Sequence, residues 1–115
     1  MTSASALLVD TDILVDHLRG ARRIVAAGRP LAYSVITRAE LFAGAGSAES
    51  IGPLLDAMTE VPVGREVAEI AGQIRQKHRT DLADALIAAT AIVMGAPLMT
   101  RNRKHYRAIA GLQFL

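Results

Sequence analysis

Short apolar runs alternate with stretches of helical periodicity along the 115 residues. Ala6-Leu7-Leu8-Val9 is continuously apolar and stops at Asp10-Thr11-Asp12, the pattern of a strand buried on both faces in a parallel sheet. Thr11 or Asp12 then offers a cap for a helix with Ile13, Leu14 and Leu18 on its apolar stripe, stopped by Gly20. A second short helix is expected over Arg22 to Ala27, closed by Gly28, and a strand over Leu31 to Val35. The next helix starts near Thr37, runs through Arg38-Ala39-Glu40-Leu41-Phe42-Ala43 and ends at Gly44 and Gly46. Ser50 to Met58 reads as a helix with Pro53 in its first turn, where proline is tolerated. Glu60-Val61-Pro62-Val63 suits an edge strand or an extended link, because proline cannot donate to a ladder. Arg65 to His78 places Val67, Ile70, Ala71 and Ile74 on one helical face.

The stretch that follows differs from all of these. Thr80-Asp81-Leu82-Ala83-Asp84 opens a helix with two carboxylates, and from Ala85 to Met94 there is no charge. A helix apolar on every side is a core helix, and this one is too short to span a bilayer. Pro97 to Thr100 reads as a strand, Arg101 to Arg107 as a basic loop and short helix, and Leu112 to Leu115 as a terminal strand. Strands alternating with helices throughout predict an α/β sandwich around a mainly parallel sheet, as one domain over residues 1–115.

Composition narrows the chemistry. An apolar fraction of 51% with 21% charged residues is that of a globular chain, and the apolar surplus points to a covered partner surface. With no cysteine, disulfides, thiolate zinc sites and cysteine nucleophiles are excluded. The first residues lack a basic stretch before an apolar one, so no signal peptide is read and the cytoplasm is expected, away from any membrane. The net charge of +2 says little, but basic residues cluster at Arg75 to Arg79 and at Arg101 to Arg107.

Ligands of open α/β sheets bind beyond the carboxyl ends of the strands. Asp10, Glu40, Asp84, Thr100 and Asn102 all fall on that edge. Converging carboxylates repel one another unless a cation lies among them, and hard oxygen donors without His or Cys favour Mg²⁺ or Mn²⁺. Each acid also has an ordinary explanation. Thr37 to Glu40 and Thr80 to Asp84 carry capping-box spacings, and Asp10 and Asp12 suit a cap and a turn. Convergence on one edge is what capping does not require. His17, His78 and His105 lack partners at catalytic spacing and read as surface groups, whereas Tyr33 reads as packing and Tyr106 as either packing or base stacking.

Four blocks then carry a resemblance: Leu8 to Asp12, Ser34 to Leu41, Asp84 to Ala91 and Leu98 to Tyr106. In this order they resemble the PIN domain, and more narrowly the VapC-type toxins of type II toxin–antitoxin pairs. The resemblance implies a PIN-like three-layer sandwich and a Mg²⁺- or Mn²⁺-dependent endoribonuclease that cleaves RNA. It further implies a homodimer restrained by a cognate antitoxin. Metal-binding and catalytic roles are carried onto Asp10, Glu40 and Asp84, with Thr100, Asn102, Thr11 and Asp81 as supporting candidates. Arg101, Arg103, Lys104 and Arg107 become candidates for binding RNA phosphates. Two features depart from the family pattern: its fourth acidic position falls on Asn102, and the link from His78 to Asp81 is short.

Three other readings compete. In a non-catalytic interaction module of the same fold the acids only cap helices. A receiver-like phosphoacceptor domain would need an acceptor Asp where Gly64-Arg65 stands. A DNA-directed nuclease needs no feature that this chain lacks.

Overall fold

The structure is a computed structural model that describes residues 5–26 and 28–115. Its elements are β1 (Leu7–Val9), α1 (Thr11–Leu18), β2 (Leu31–Ser34), α2 (Val35–Gly44), α3 (Ala48–Asp56), β3 (Thr59–Val61), α4 (Arg65–Lys77), α5 (Leu82–Met94), β4 (Leu98–Met99) and α6 (Arg103–Tyr106). The four strands form one parallel sheet in the order β3-β2-β1-β4. β1 and β2 occupy the centre, which fits the wholly apolar β1 and the Leu31-Ala32-Tyr33 run of β2 before the polar Ser34.

Successive side chains of a strand point to opposite faces, and this divides the core in two. Leu8 and Ala32 join Val67, Ala71 and Ile74 of α4 and the apolar side of α5. Val9 and Tyr33 join Leu14, Leu41, Ile51 and Leu55 from α1, α2 and α3. Helices therefore cover both faces, giving the three-layer α/β arrangement expected. The alanines of α5 (Ala85, Ala88, Ala89 and Ala91, all buried) let its backbone lie close to its neighbours. Gly95 ends α5 in the left-handed conformation, at φ 66°, where a side chain is disfavoured.

Local expectations fail where tertiary contacts decide. Residues 22–26 are not helical, and Ala27 lies outside the described residues. A segment this short between two glycines cannot offset the cost of nucleating a helix, and Ile24 packs on the α1–α3 side while Val25 stays exposed. α2 begins at Val35, capped by the Ser34 hydroxyl on the Ile36 N–H at 3.1 Å, so Thr37 is an interior, fully buried residue rather than a cap. α3 starts at Ala48 behind Ser47, which puts Pro53 inside the helix instead of in its first turn. The expected terminal strand shrinks to one bridge between Leu98 and Phe114. β3 pairs only with β2, an edge as the proline predicts. Among the described residues, no helix is long and apolar enough to cross a membrane.

Candidate active site

Parallel strands bring all their carboxyl ends to one edge, and the site is assembled there. Asp10 directly follows β1, and its backbone N–H is tied to the Met99 carbonyl of β4 at 2.9 Å. Its Oδ1 caps α1 by accepting the Thr11 N–H at 2.8 Å. Its Oδ2 accepts the Thr100 hydroxyl at 2.8 Å and lies 3.1 Å from the Tyr106 hydroxyl. One carboxylate thus joins the first strand, the first helix and the last segment of the fold.

Glu40 and Asp84 arrive from opposite layers. Because α2 starts earlier than its local spacing suggests, Glu40 lies beyond the first turn and does not reach back to a cap. Instead it accepts the Thr11 hydroxyl at 2.7 Å, and that hydroxyl also contacts the buried Thr37 hydroxyl at 2.9 Å. In α5 the cap is Asp81, whose Oδ1 accepts the Asp84 N–H at 2.8 Å. Asp84 is left to face inward, with Oδ1 3.0 Å from the Tyr106 hydroxyl.

Asp10, Glu40 and Asp84 line one cleft of about 250 Å³, together with Thr11, Asp12, Asn102 and Tyr106. Asp81 does not. It lines an adjoining cleft of about 490 Å³ that shares Asp84 and His105 and is bordered by Arg79 and Lys104. On another side lies a cleft of about 640 Å³ bordered by Arg22, Arg101, Arg103 and Lys104. The acidic cleft is therefore flanked by basic walls.

The basic residues do not behave alike. The Arg101 guanidinium pairs with the buried Asp16 at 3.0 Å and stands 3.8 Å from Asp12, so much of its charge is engaged inside the fold. Arg103 donates to the Leu115 carbonyl and lies over the Phe114 ring, 5.5 Å from its centroid. Lys104 is exposed on the rim. Arg107 is also exposed and ends α6, its N–H donating to the Arg103 carbonyl.

Three contributors escape sequence reasoning. Tyr106 is 1% exposed and reaches both Asp10 and Asp84. Asp12 accepts the Asn102 side-chain amide at 2.9 Å, which places Asn102 against a carboxylate. Asp16 anchors Arg101. For Tyr106 the only local signal is an aromatic residue four positions after Asn102, and for Asp12 and Asp16 it is two acids at helical spacing from each other. None of these reveals a contact made across the fold.

Burial makes the acids reluctant to ionise. Asp10 is pushed up to about 6, first by loss of water and then by the charge of Asp12, against the opposing pull of Thr100, Thr11 and Tyr106. Burial also raises Asp12 and Asp84, and it raises the Tyr106 phenol, which therefore stays protonated and able to donate.

The donor set is wholly oxygen, which fits a hard divalent cation. Among the described residues, no three His, Asp or Glu side chains are gathered tightly enough to cage an ion as they stand. An ion that keeps several waters and takes one or two carboxylates directly needs no such cage. A buried Asp12 oxygen without any donor also fits a cation nearby.

Comparison with known proteins shows the family. The family described as PIN domain matches residues 7–111. Ribonuclease VapC19 of Mycobacterium tuberculosis is 35% identical over 120 residues, covering 92% of this chain and 96% of the relative. A chain in a toxin–antitoxin complex from Klebsiella pneumoniae is 32% identical with a TM-score of 0.77, covering 92% of this chain and 94% of that one. A chain of VapBC2 from Rickettsia felis, in a structure bound to a promoter DNA fragment, shares the fold at a TM-score of 0.82 and 21% identity, covering 96% and 97%. PIN-domain ribonucleases of this kind depend on divalent metal. With a family match over nearly its whole length and an acidic cleft at the carboxyl edge of its sheet, the chain belongs to the PIN-domain family and, within it, to the VapC ribonucleases.

Proposed function

We propose that this chain is the endoribonuclease toxin of a type II toxin–antitoxin pair, and that Asp10, Glu40 and Asp84 form its catalytic centre. The observation that carries the reading is the meeting of these three acids, from three separate elements, in one cleft between basic walls. Mg²⁺ or Mn²⁺ is the ion we assign to them. When bound, it supplies a more acidic water and offsets charge developing on a scissile phosphate.

The protein's own groups do the remaining work. Thr100, Thr11 and Tyr106 fix the Asp10 carboxylate from three directions. Thr11 fixes Glu40, and Tyr106 gives its one proton to Asp84 in alternation with Asp10. Lys104, Arg103 and Arg107 take flanking phosphates of an RNA substrate, which positions the strand without reading its sequence. Arg101 contributes less to that attraction, because Asp16 and Asp12 already hold its guanidinium. Asp81 acts as the cap that frees Asp84 for the cleft.

We further propose that the protein works as a cytoplasmic homodimer inhibited by its antitoxin. Exposed Phe42, Leu82 and Val93 are apolar surface that such partners cover.

Purified, antitoxin-free protein incubated with structured RNAs tests the reading, with Mg²⁺, with Mn²⁺ and with chelator. Asp10→Asn and Asp84→Asn variants run alongside, with melting curves to verify folding. Discrete RNA cleavage that needs the ion and disappears in the folded variants is expected. Cleavage that persists in both variants overturns the assignment, and equal cleavage of DNA overturns the preference for RNA.

A further inference from the structure

Asp12 lies in the first turn of α1, two residues beyond Asp10, and lines the same cleft. Its two oxygens stand in very different surroundings. Oδ2 accepts the Asn102 side-chain amide at 2.9 Å and the Arg101 backbone N–H at 3.3 Å, and it lies 3.3 Å from the Thr100 hydroxyl. Oδ1 is buried and accepts nothing, alone in this among the buried side-chain oxygens and nitrogens of the described residues. A carboxylate oxygen withdrawn from water without a donor is costly, and in a native structure it is usually covered by an ordered water or an ion.

The surroundings favour an ion. Two N–H donors, the Asn102 amide and the Arg101 backbone, hold Oδ2 beside the Thr100 hydroxyl, whose one proton goes to Asp10, so Oδ1 cannot swing round to share them. The Thr100 hydroxyl contacts both Asp10 and Asp12, which places the two carboxylates against one another. Asp10, Glu40 and Asp84 line the same cavity, which carries more acid than Arg101 and His105 can balance.

We propose that Asp12 is a further cation-holding carboxylate of this centre. Oδ1 is the end that meets the divalent ion or a water of its shell. Asn102 and the Arg101 N–H are the clamp that presents it. The inference rests on the proposed nuclease centre and extends it in two ways. The acid set grows to four, and Asn102 becomes a positioning residue that acts through Asp12.

A purely structural Asp12 would tether the segment from Thr100 to Asn102 and do nothing else. Mn²⁺ titration of the metal-free, full-length protein, followed by the magnetic resonance of free Mn²⁺, separates the two roles without any activity assay. In Asp12→Asn the amide can still accept from the same donors, but the charge is gone. Mn²⁺ affinity is expected to fall at least about tenfold, while the metal-free melting temperature does not fall. Asn102→Asp sets a second carboxylate against the first. It is expected to melt lower without metal and to regain that loss when Mn²⁺ is added.

Parent-like Mn²⁺ affinity in Asp12→Asn, with clear weakening in an Asp84→Asn control, overturns the role of Asp12 and leaves the nuclease centre intact. An Asn102→Asp protein that melts lower and is not rescued by Mn²⁺ overturns it too, should Asp12→Asn fail to fold. Parent-like binding in both Asp12→Asn and Asp84→Asn overturns the centre itself.

Discussion

The phenolic oxygen of Tyr106 lies 3.1 Å from Oδ2 of Asp10, joining residues 96 positions apart. The same oxygen is 3.0 Å from Asp84. A phenol holds one proton, so it donates to one carboxylate at a time, and the other contact is favourable only when that acid carries a proton. Tyr106→Phe keeps the buried ring and removes the donor. The variant should fold with a loss of about 1 kcal/mol, read by thermal melting. RNA cleavage should fall about tenfold, because Asp10 and Asp84 lose the group that spaces them.

Metal-free protein should lose stability as the solution turns from acid to neutral. Asp10 titrates near 6 in the folded chain against 3.8 as a free side chain, so the folded state holds a proton that the unfolded state releases. Its contribution is full below 3.8, declines across the interval and is gone above about 6. A shift of this size corresponds to roughly 3 kcal/mol. Asp12 and Asp84 are raised as well and act in the same direction. Melting temperatures measured without metal from about pH 5 to about pH 7.5 should fall, and Asp10→Asn should flatten that slope.

Arg101 and Lys104 look alike in the sequence but should answer differently to truncation. Lys104→Ala should raise KM for RNA, leave kcat and stability nearly unchanged, and reduce the salt dependence of binding. Arg101→Ala exposes Asp16, a buried acid, and the loss of its partner should cost roughly 1–3 kcal/mol, less than a fully buried pair because the guanidinium is half exposed. Binding assays over a salt series and melting curves distinguish the two outcomes.

Thr11 offers a similar contrast with Glu40. Glu40→Gln should abolish cleavage, by at least about a hundredfold, and leave the melting temperature in place, because Glu40 is exposed and accepts only one hydrogen bond from the described residues. Thr11→Val leaves the Asp10 cap, which uses only the backbone N–H, but removes the hydroxyl shared by Glu40 and Thr37. A buried Thr37 without that partner should cost about 1–2 kcal/mol, with a partial loss of cleavage.

Much of the fold can be read from the sequence because β1, β2 and α5 are apolar enough to be buried wherever they lie. The carboxyl-edge rule then brings Asp10, Glu40 and Asp84 together without any knowledge of packing. Local spacing misleads where two explanations share a pattern. Thr37 and Glu40 stand at capping distance, yet Ser34 is the cap, and Thr37 is drawn into the core by its contact with Thr11. In residues 22–26 only Ile24 finds the core, while Val25 stays exposed, so the segment follows an irregular path. Tyr106 and Asp12 are invisible for a different reason: Asp84 lies 22 residues from Tyr106 and their other partners 88 to 96 residues away, and only the assembled sheet brings them into reach.

The tie between Asp10 and the segment from Thr100 to Tyr106 also matters for synthesis. A ribosome makes Asp10 early, but the hydroxyls that hold its carboxylate, those of Thr100 and Tyr106, come after every strand of the sheet. Until that segment leaves the exit tunnel, β1 lacks its β4 neighbour and the acids have no shared cleft. A nascent chain therefore cannot assemble the acidic cleft until the segment from Thr100 to Tyr106 is free to fold back on Asp10.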